Sequence, residues 1–206
     1  MLLSALSASA QLRWGVEAGV NISHALETSK TKAGFNVGAT AEYSFTSHWF
    51  METAVKLSSQ PCGDKYENRF TNASDKNAAY GYSSDYTPYY LAIPLRAGYK
   101  FTLRPGAVLS LSAGPMIGIG LFGKGNIDVN DGSSAVKPLK TNGIFNTANE
   151  AYFSSSRFEY GADIRLGLEL KNHYTVGFGY NILHIAGNKT AVDNMNIFAI
   201  NLGYKF

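Results

Sequence analysis

Apolar and polar residues take turns along most of this chain. In Phe198-Ala-Ile-Asn-Leu-Gly-Tyr-Lys-Phe206, the side chains of Phe198, Ile200, Leu202, Tyr204 and Phe206 fall on one face, and those of Ala199, Asn201, Gly203 and Lys205 on the other. Strict period-2 alternation describes a strand with one apolar and one polar surface. The pattern recurs, and eight strands are predicted: Arg13–Ser23, Ala33–Phe45, Trp49–Ser59, Tyr89–Phe101, Val108–Phe122, Phe158–Leu170, Tyr174–Ala186 and about Asn196 to Phe206. Most reach the roughly 9–11 residues with which a tilted strand crosses a bilayer, and no run approaches the ~18 apolar residues of a membrane helix. A chain that spans lipid without such helices must close its sheet, because lipid satisfies no backbone hydrogen bonds. The prediction is therefore an all-β fold, an eight-stranded antiparallel up-and-down transmembrane β-barrel with its apolar face to lipid and its polar face to the lumen.

The connections alternate in length. Thr46-Ser47-His48, Leu103–Ala107 and Lys171-Asn172-His173 are tight turns, whereas His24–Lys32, Gln60–Pro88, Gly123–Arg157 and Gly187–Met195 are longer. That is the outer-membrane pattern, with short turns and both termini periplasmic and long loops extracellular. Trp14, Tyr43, Phe45, Trp49, Tyr99, Phe101, Tyr174, Tyr204 and Phe206 gather at the short-turn end, as an aromatic girdle at the lipid–water boundary does.

Composition adds limits. The 206 residues are 16% charged and carry a formal charge of +3, too small and too scattered to predict a nucleic-acid partner. Cys62 is the single cysteine, which excludes an intrachain disulfide. Leu2, Leu3 and Leu6, followed by Ala8-Ser9-Ala10-Gln11, read as the end of a processed export signal. Residues 1–10 are then a signal remnant, and residues 11–206 the barrel.

By parity, Glu17, Glu42, Glu52, Glu159, Asp163 and Glu169 point inward, with Arg13, Lys56, Arg96, Lys100, Arg165 and Lys205. Counted from the short-turn end, Glu17, Glu42, Glu52 and Arg96 stand at similar heights, and Arg165 enters from the opposite wall. A barrel of about eight strands is just wide enough for side chains to fill it. Unpaired buried charges are costly, so a plug of paired charges is predicted around Glu17, Glu42, Glu52, Arg96, Asp163 and Arg165. The alternative is a constriction that gates a narrow ion or solute pore. Inward glycines leave room for the long side chains, and Pro94 and Pro115, which remove ladder hydrogen bonds, predict bulges. A soluble lipocalin-like barrel is disfavoured, since its interior should be apolar.

An outer-membrane acyl hydrolase needs a nucleophilic Ser held by His and an acid. His184 is the one well-placed histidine, but Ile185 and Ala186 beside it supply no nucleophile, and Ser154–Ser156 belong to a generically Ser-rich loop. No enzyme activity, cofactor or metal is predicted. Asp128-Val-Asn-Asp-Gly132 has its glycine one residue early for a calcium loop and reads as a turn. Function is assigned to the loops. Gln60–Pro88 carries Tyr66, Phe70, Tyr80, Tyr82 and Tyr86 among small polar residues, the mix of an adaptable contact surface.

Gly15-Val-Glu-Ala-Gly-Val-Asn21, Tyr90-Leu-Ala-Ile-Pro-Leu95, Leu111-Ser-Ala-Gly-Pro115 and Asn201-Leu-Gly-Tyr-Lys-Phe206 resemble the PorT-like outer-membrane β-barrel domain of Bacteroidota. The likeness covers nearly the whole mature chain. It implies a small bacterial outer-membrane barrel in contact with lipid and lipopolysaccharide, with a filled interior like that of OmpA-type barrels. The name-giving member is linked to protein secretion, but no residue here carries that role over. Tyr204 and Phe206 resemble the terminal signal read by the outer-membrane insertion machinery. The remaining partner is an unidentified extracellular ligand, through loops 60–88 and 123–157.

Overall fold

The computed structural model describes residues 11–25, 30–69, 79–131, 137–145, 156–186 and 194–206. The expected signal remnant at 1–10 lies outside them, as do parts of the long connections. Ten strands follow in chain order: β1 (Gln11–Ala25), β2 (Thr31–Ser44), β3 (Trp49–Ser59), β4 (Cys62–Arg69), β5 (Ala79–Arg104), β6 (Ala107–Asp131), β7 (Lys137–Thr141), β8 (Phe158–Leu170), β9 (Tyr174–Ile185) and β10 (Asn194–Lys205). The described strands pair antiparallel with one another, in the order β4-β5-β3-β2-β1-β10-β9-β8-β6-β7, and β5 also pairs with β6. That last pairing closes eight strands into a ring, from which only β4 and β7 are left out. The protein is an eight-stranded antiparallel β-barrel.

The short turns follow from their residues. Pro105 and Gly106 join β5 to β6, and Gly106 has φ 76°, the left-handed value that position three of a type II turn requires. Lys171 and Asn172 between β8 and β9 both have positive φ, 52° and 62°, the primed-turn geometry that matches strand twist. Thr46 holds the β2–β3 turn, its hydroxyl accepting from the amides of His48 and Trp49 at 3.2 and 3.0 Å.

Alternation sets the two faces. Val20, Val37, Val55, Leu95, Leu111, Ile117, Ile164, Leu166 and Ile200 are exposed on the outer wall, while Glu17, Glu42, Glu52, Arg96, Asp163 and Arg165 are buried inside. At the short-turn end the outer wall carries Trp14, Tyr43, Trp49, Tyr99, Phe101, Tyr174, Tyr204 and Phe206. Several touch edge-on, with Trp49–Tyr99 at 5.1 Å and Tyr174–Tyr204 at 5.5 Å. A second aromatic group, not anticipated from the sequence, sits toward the other end: Phe35 and Phe122 flank Tyr89 at 6.2 and 4.6 Å, and Phe158 neighbours Tyr160.

Two expectations need correction. The segments read as loops 60–88 and 123–157 are partly strand. β4 pairs with β5 from Cys62↔Tyr86 to Arg69↔Ala79, β5 and β6 stay paired out to Tyr80↔Asp131, and β7 adds to β6. The composition hides a paired backbone, because the buried face of these extensions carries Ser84, Gly123 and Gly125 beside Ile127, too few apolar residues to show a period. Nor do Pro94 and Pro115 make bulges. The β5–β6 ladder keeps one register from Pro94↔Met116 to Ala97↔Ala113 across them, and Pro115 pairs in register with Ala162. The register shifts lie between Tyr89 and Tyr90, and between Thr102 and Arg104. The first skips Leu121, leaving Leu121 and Phe122 both exposed and turning Gly123 inward.

Candidate functional site

The interior is filled in layers. Nearest the short turns, Lys205 Nζ reaches Glu42 Oε2 at 2.5 Å and Glu169 Oε2 at 3.1 Å. Lys100 Nζ takes the other oxygen of Glu42 at 2.5 Å, and Arg13 pairs with Glu169 at 2.7 Å. Above them Arg96 joins two carboxylates, through Nη1 to Glu52 and through Nε to Asp163. Arg165 Nη1 lies 2.6 Å from Glu17 Oε2, and Lys56 Nζ lies 2.5 Å from Glu17 Oε1. Both contacts with Glu17 are close charge pairs. Gly177 makes room for Arg165: a Cβ there would sit 2.7 Å from its Nη2.

Arg96, with 1% of its side chain exposed, has its charge met by Glu52 and Asp163, themselves 7% and 6% exposed. Removing one member of such a group strands the others in a dry site, which costs about 3–5 kcal/mol. Glu17, Glu52, Arg96, Asp163 and Arg165 come together as one cluster with Lys56. Glu42 does not join it. Register sets Glu42 opposite Arg13 on β1 and Glu52 on β3, yet its carboxylate meets Lys100 and Lys205 in the layer below. Counting residues from the turns ignores strand tilt, which separates positions of equal count.

The next layer is neutral. Asn21 Nδ2 donates to Ser58 Oγ at 3.0 Å, and Asn36 Nδ2 donates to Asn21 Oδ1 at 2.7 Å. Asn21, Asn36, Asn181 and Asn201 border a cavity of about 20 Å³, room for one or two waters. Water there would satisfy the amide oxygens of Asn36, Asn181 and Asn201, which have no protein partner.

Beyond the asparagines the filling turns apolar. Cys62, Ala92, Met116, Leu183, Met195 and Ile197 form one buried cluster, Tyr90, Ile127, Ile144 and Phe145 a second, and Tyr86 packs against both. Burial pushes the Cys62 thiol up to about 11, so it is a packing residue with little thiolate at neutral pH. Within this region Glu159 accepts from Gln60 Nε2 at 2.8 Å. Nothing in the sequence singles out that pair or the apolar clusters; their one signal is that Leu183, Met195 and Ile197 break the polar parity of the inner face.

His184 is half-buried, within 3.1 Å of Asn194 Oδ1 and edge-on to Tyr160. Ser156 Oγ accepts from the amide of Phe158 at 3.3 Å. Ser154, Ser155, Phe70 and Gly132 lie outside the described residues. Of the tyrosines expected to form a contact surface, Tyr86 is turned into the apolar packing.

No curated protein sequence matches the chain. Among solved structures it is similar to Ail, the attachment invasion locus protein of Yersinia pestis, at 11% identity over 96% of this chain and 99% of that one, with a TM-score of 0.41. It is similar to Neisserial surface protein A at 14% identity over 96% and 99%, with a TM-score of 0.47. OprG from Pseudomonas aeruginosa matches at 12% identity over 95% and 94%, with a TM-score of 0.37. The model of the outer membrane protein beta-barrel domain matches residues 1–206; the chain belongs to that family, and it is a small barrel of the outer membrane.

Proposed function

We propose that this barrel is closed to solutes and serves a structural or binding role at its long-connection end. The observation that carries this is Arg96, buried in the middle of the lumen between Glu52 and Asp163. A guanidinium held on two sides stands where a conduction path would run, and the apolar clusters fill the lumen beyond it. The short turns face the periplasm, and the aromatic girdle of Trp14, Tyr43, Trp49, Tyr99, Phe101, Tyr174 and Tyr204 meets the inner lipid boundary. Lipid and lipopolysaccharide surround the wall, and an extracellular ligand docks through residues 60–88 and 123–157. The motifs at Tyr90–Leu95 and Asn201–Phe206 support kinship with the PorT-like barrels of Bacteroidota. Among the described residues none supports catalysis or a secretion role.

Liposome swelling tests closure. Vesicles carrying the refolded protein should swell in isotonic small sugars no faster than empty vesicles. Swelling that rises with protein content would replace this reading with the pore. Tyr204 and Phe206 stand outward at the β10–β1 seam, where the Phe206 amide donates to Trp14 O at 2.8 Å, and we assign them to recognition by the insertion machinery. Phe206→Ala should lower the amount of heat-modifiable protein in the membrane; unchanged abundance would remove that role.

A further inference from the structure

Three glycines line the inner wall of β6 near its long-connection end, and each is covered by a side chain from elsewhere. Glu159 covers Gly118, Phe145 covers Gly120 and Ile144 covers Gly123. Together they floor a groove with no side chains of its own. Gly118 and Gly120 are successive inward positions, ~7 Å apart along the strand. The groove is walled by Tyr90, edge-on to Phe145 at 5.5 Å, and Ile127 packs in the same cluster.

The inner end of the groove has the wrong chemistry for a finished core. Glu159 and Gln60 are both fully buried, joined by the single bond from Gln60 Nε2 to Glu159 Oε1. The other two oxygens, Glu159 Oε2 and Gln60 Oε1, have no hydrogen-bond partner. Among the described residues no cation pairs with Glu159. Every other inward carboxylate named above is ion-paired. Two unpartnered oxygens in an apolar groove call for a donor, and a primary ammonium has three N–H bonds to share between them and a charge that matches an ionised Glu159.

We propose that this groove is a binding site for an organic ammonium ion with an aromatic body, and that Ile144 and Phe145 occupy it in the unliganded protein. The ammonium donates to Glu159 and Gln60, while the ring takes the place of Phe145 over Gly120 and against Tyr90. Displaced, Phe145 gives up its contact with Arg157, whose guanidinium lies 5.5 Å from its ring and stays held by Gly120 O at 3.2 Å. The site rests on the reading of a closed barrel that binds at its long-connection end, and it names the ligand class.

The test is calorimetric titration of the refolded full-length barrel in detergent with 2-phenylethylammonium, and with 2-phenylethanol as the neutral probe. Saturable binding of the ammonium is expected, weaker by tenfold or more in Glu159→Gln, since a charge-assisted hydrogen bond is worth about 1.5–3 kcal/mol. Phe145→Ala should tighten it, because the internal occupant no longer competes. Heat-modifiability on a gel establishes that each variant is folded. Should Glu159→Gln fail to fold, the comparison of ammonium with alcohol on wild type and Phe145→Ala decides. The site is overturned by absence of saturable binding in both proteins, by equal binding of the alcohol, or by equal binding to folded Glu159→Gln. Swelling of vesicles would overturn the closed barrel instead, so the two failures are distinguishable.

Discussion

The two halves of this lumen obey one parity and are filled with opposite chemistry. Toward the short turns, Arg13, Lys56, Arg96, Lys100, Arg165 and Lys205 interlock with Glu17, Glu42, Glu52, Asp163 and Glu169. Toward the long connections, Met116, Leu183, Met195, Ile197 and Phe145 pack as in a water-soluble core. The difference teaches what each filling does. Ion pairs of this kind add little net stability over apolar side chains of equal volume, but their loss one at a time is punishing, so they specify register strongly. Apolar packing tolerates conservative change and excludes water without demanding fixed partners. On the proposed reading the barrel is sealed twice, once by charge and once by packing.

The largest expected effect breaks the charged half. Arg96→Ala leaves Glu52 and Asp163 facing one another without their shared cation. It should destabilise the barrel by about 3–5 kcal/mol, read as a lower urea midpoint for the refolded protein in detergent. Combining Arg96→Met with Glu52→Gln and Asp163→Asn should recover most of the loss. If the combined variant is no better than Arg96→Ala, the cost lies in shape and not in stranded charge.

A milder change sharpens the apolar half. Ile197→Val should cost about 0.5–1.5 kcal/mol and leave the salt dependence of unfolding unchanged. A larger cost would mean that the packed half is as particular about its partners as the charged one.

The smallest effect belongs to the mouth. Lys205→Ala removes a cation that Lys100 and Arg13 partly replace at Glu42 and Glu169. A cost below that of Arg96→Ala is expected, read as the urea midpoint, because Glu42 and Glu169 each keep a second cation. A cost equal to that of Arg96→Ala would show that Lys100 and Arg13 do not compensate for the lost cation.

Most of the charged half is legible in the sequence, and little of the apolar half. A barrel wall announces itself, because lipid and lumen impose opposite polarity on adjacent residues. Glu17, Arg96 and Asp163 each sit between apolar neighbours that face lipid, so the alternation alone turns them inward. Parity does not give height, which is why counting from the turns sets Glu42 beside Arg96 although it answers to Lys100 and Lys205. In the apolar half the alternation fades. Ile197 and Phe198 are adjacent and both apolar, so the alternation that turns Phe198 outward leaves Ile197 inside with no polar residue to mark the inner face. Glu159 reaches across the lumen to Gln60, a contact between residues 99 apart in sequence that no local pattern encodes. The ribbon of β4 and β7 with the ends of β5 and β6 is hidden for a further reason: its buried face carries Ser84, Gly123 and Gly125 beside Ile127, so it shows no hydrophobic period.

Single-channel recording in planar bilayers tests the closed lumen most directly. Wild-type protein should show no steady conductance at either polarity. Arg96→Ala should open intermittently, because the cation that holds both walls is gone. A large, steady wild-type conductance, unchanged by Arg96→Ala, would contradict the account and make the barrel a pore.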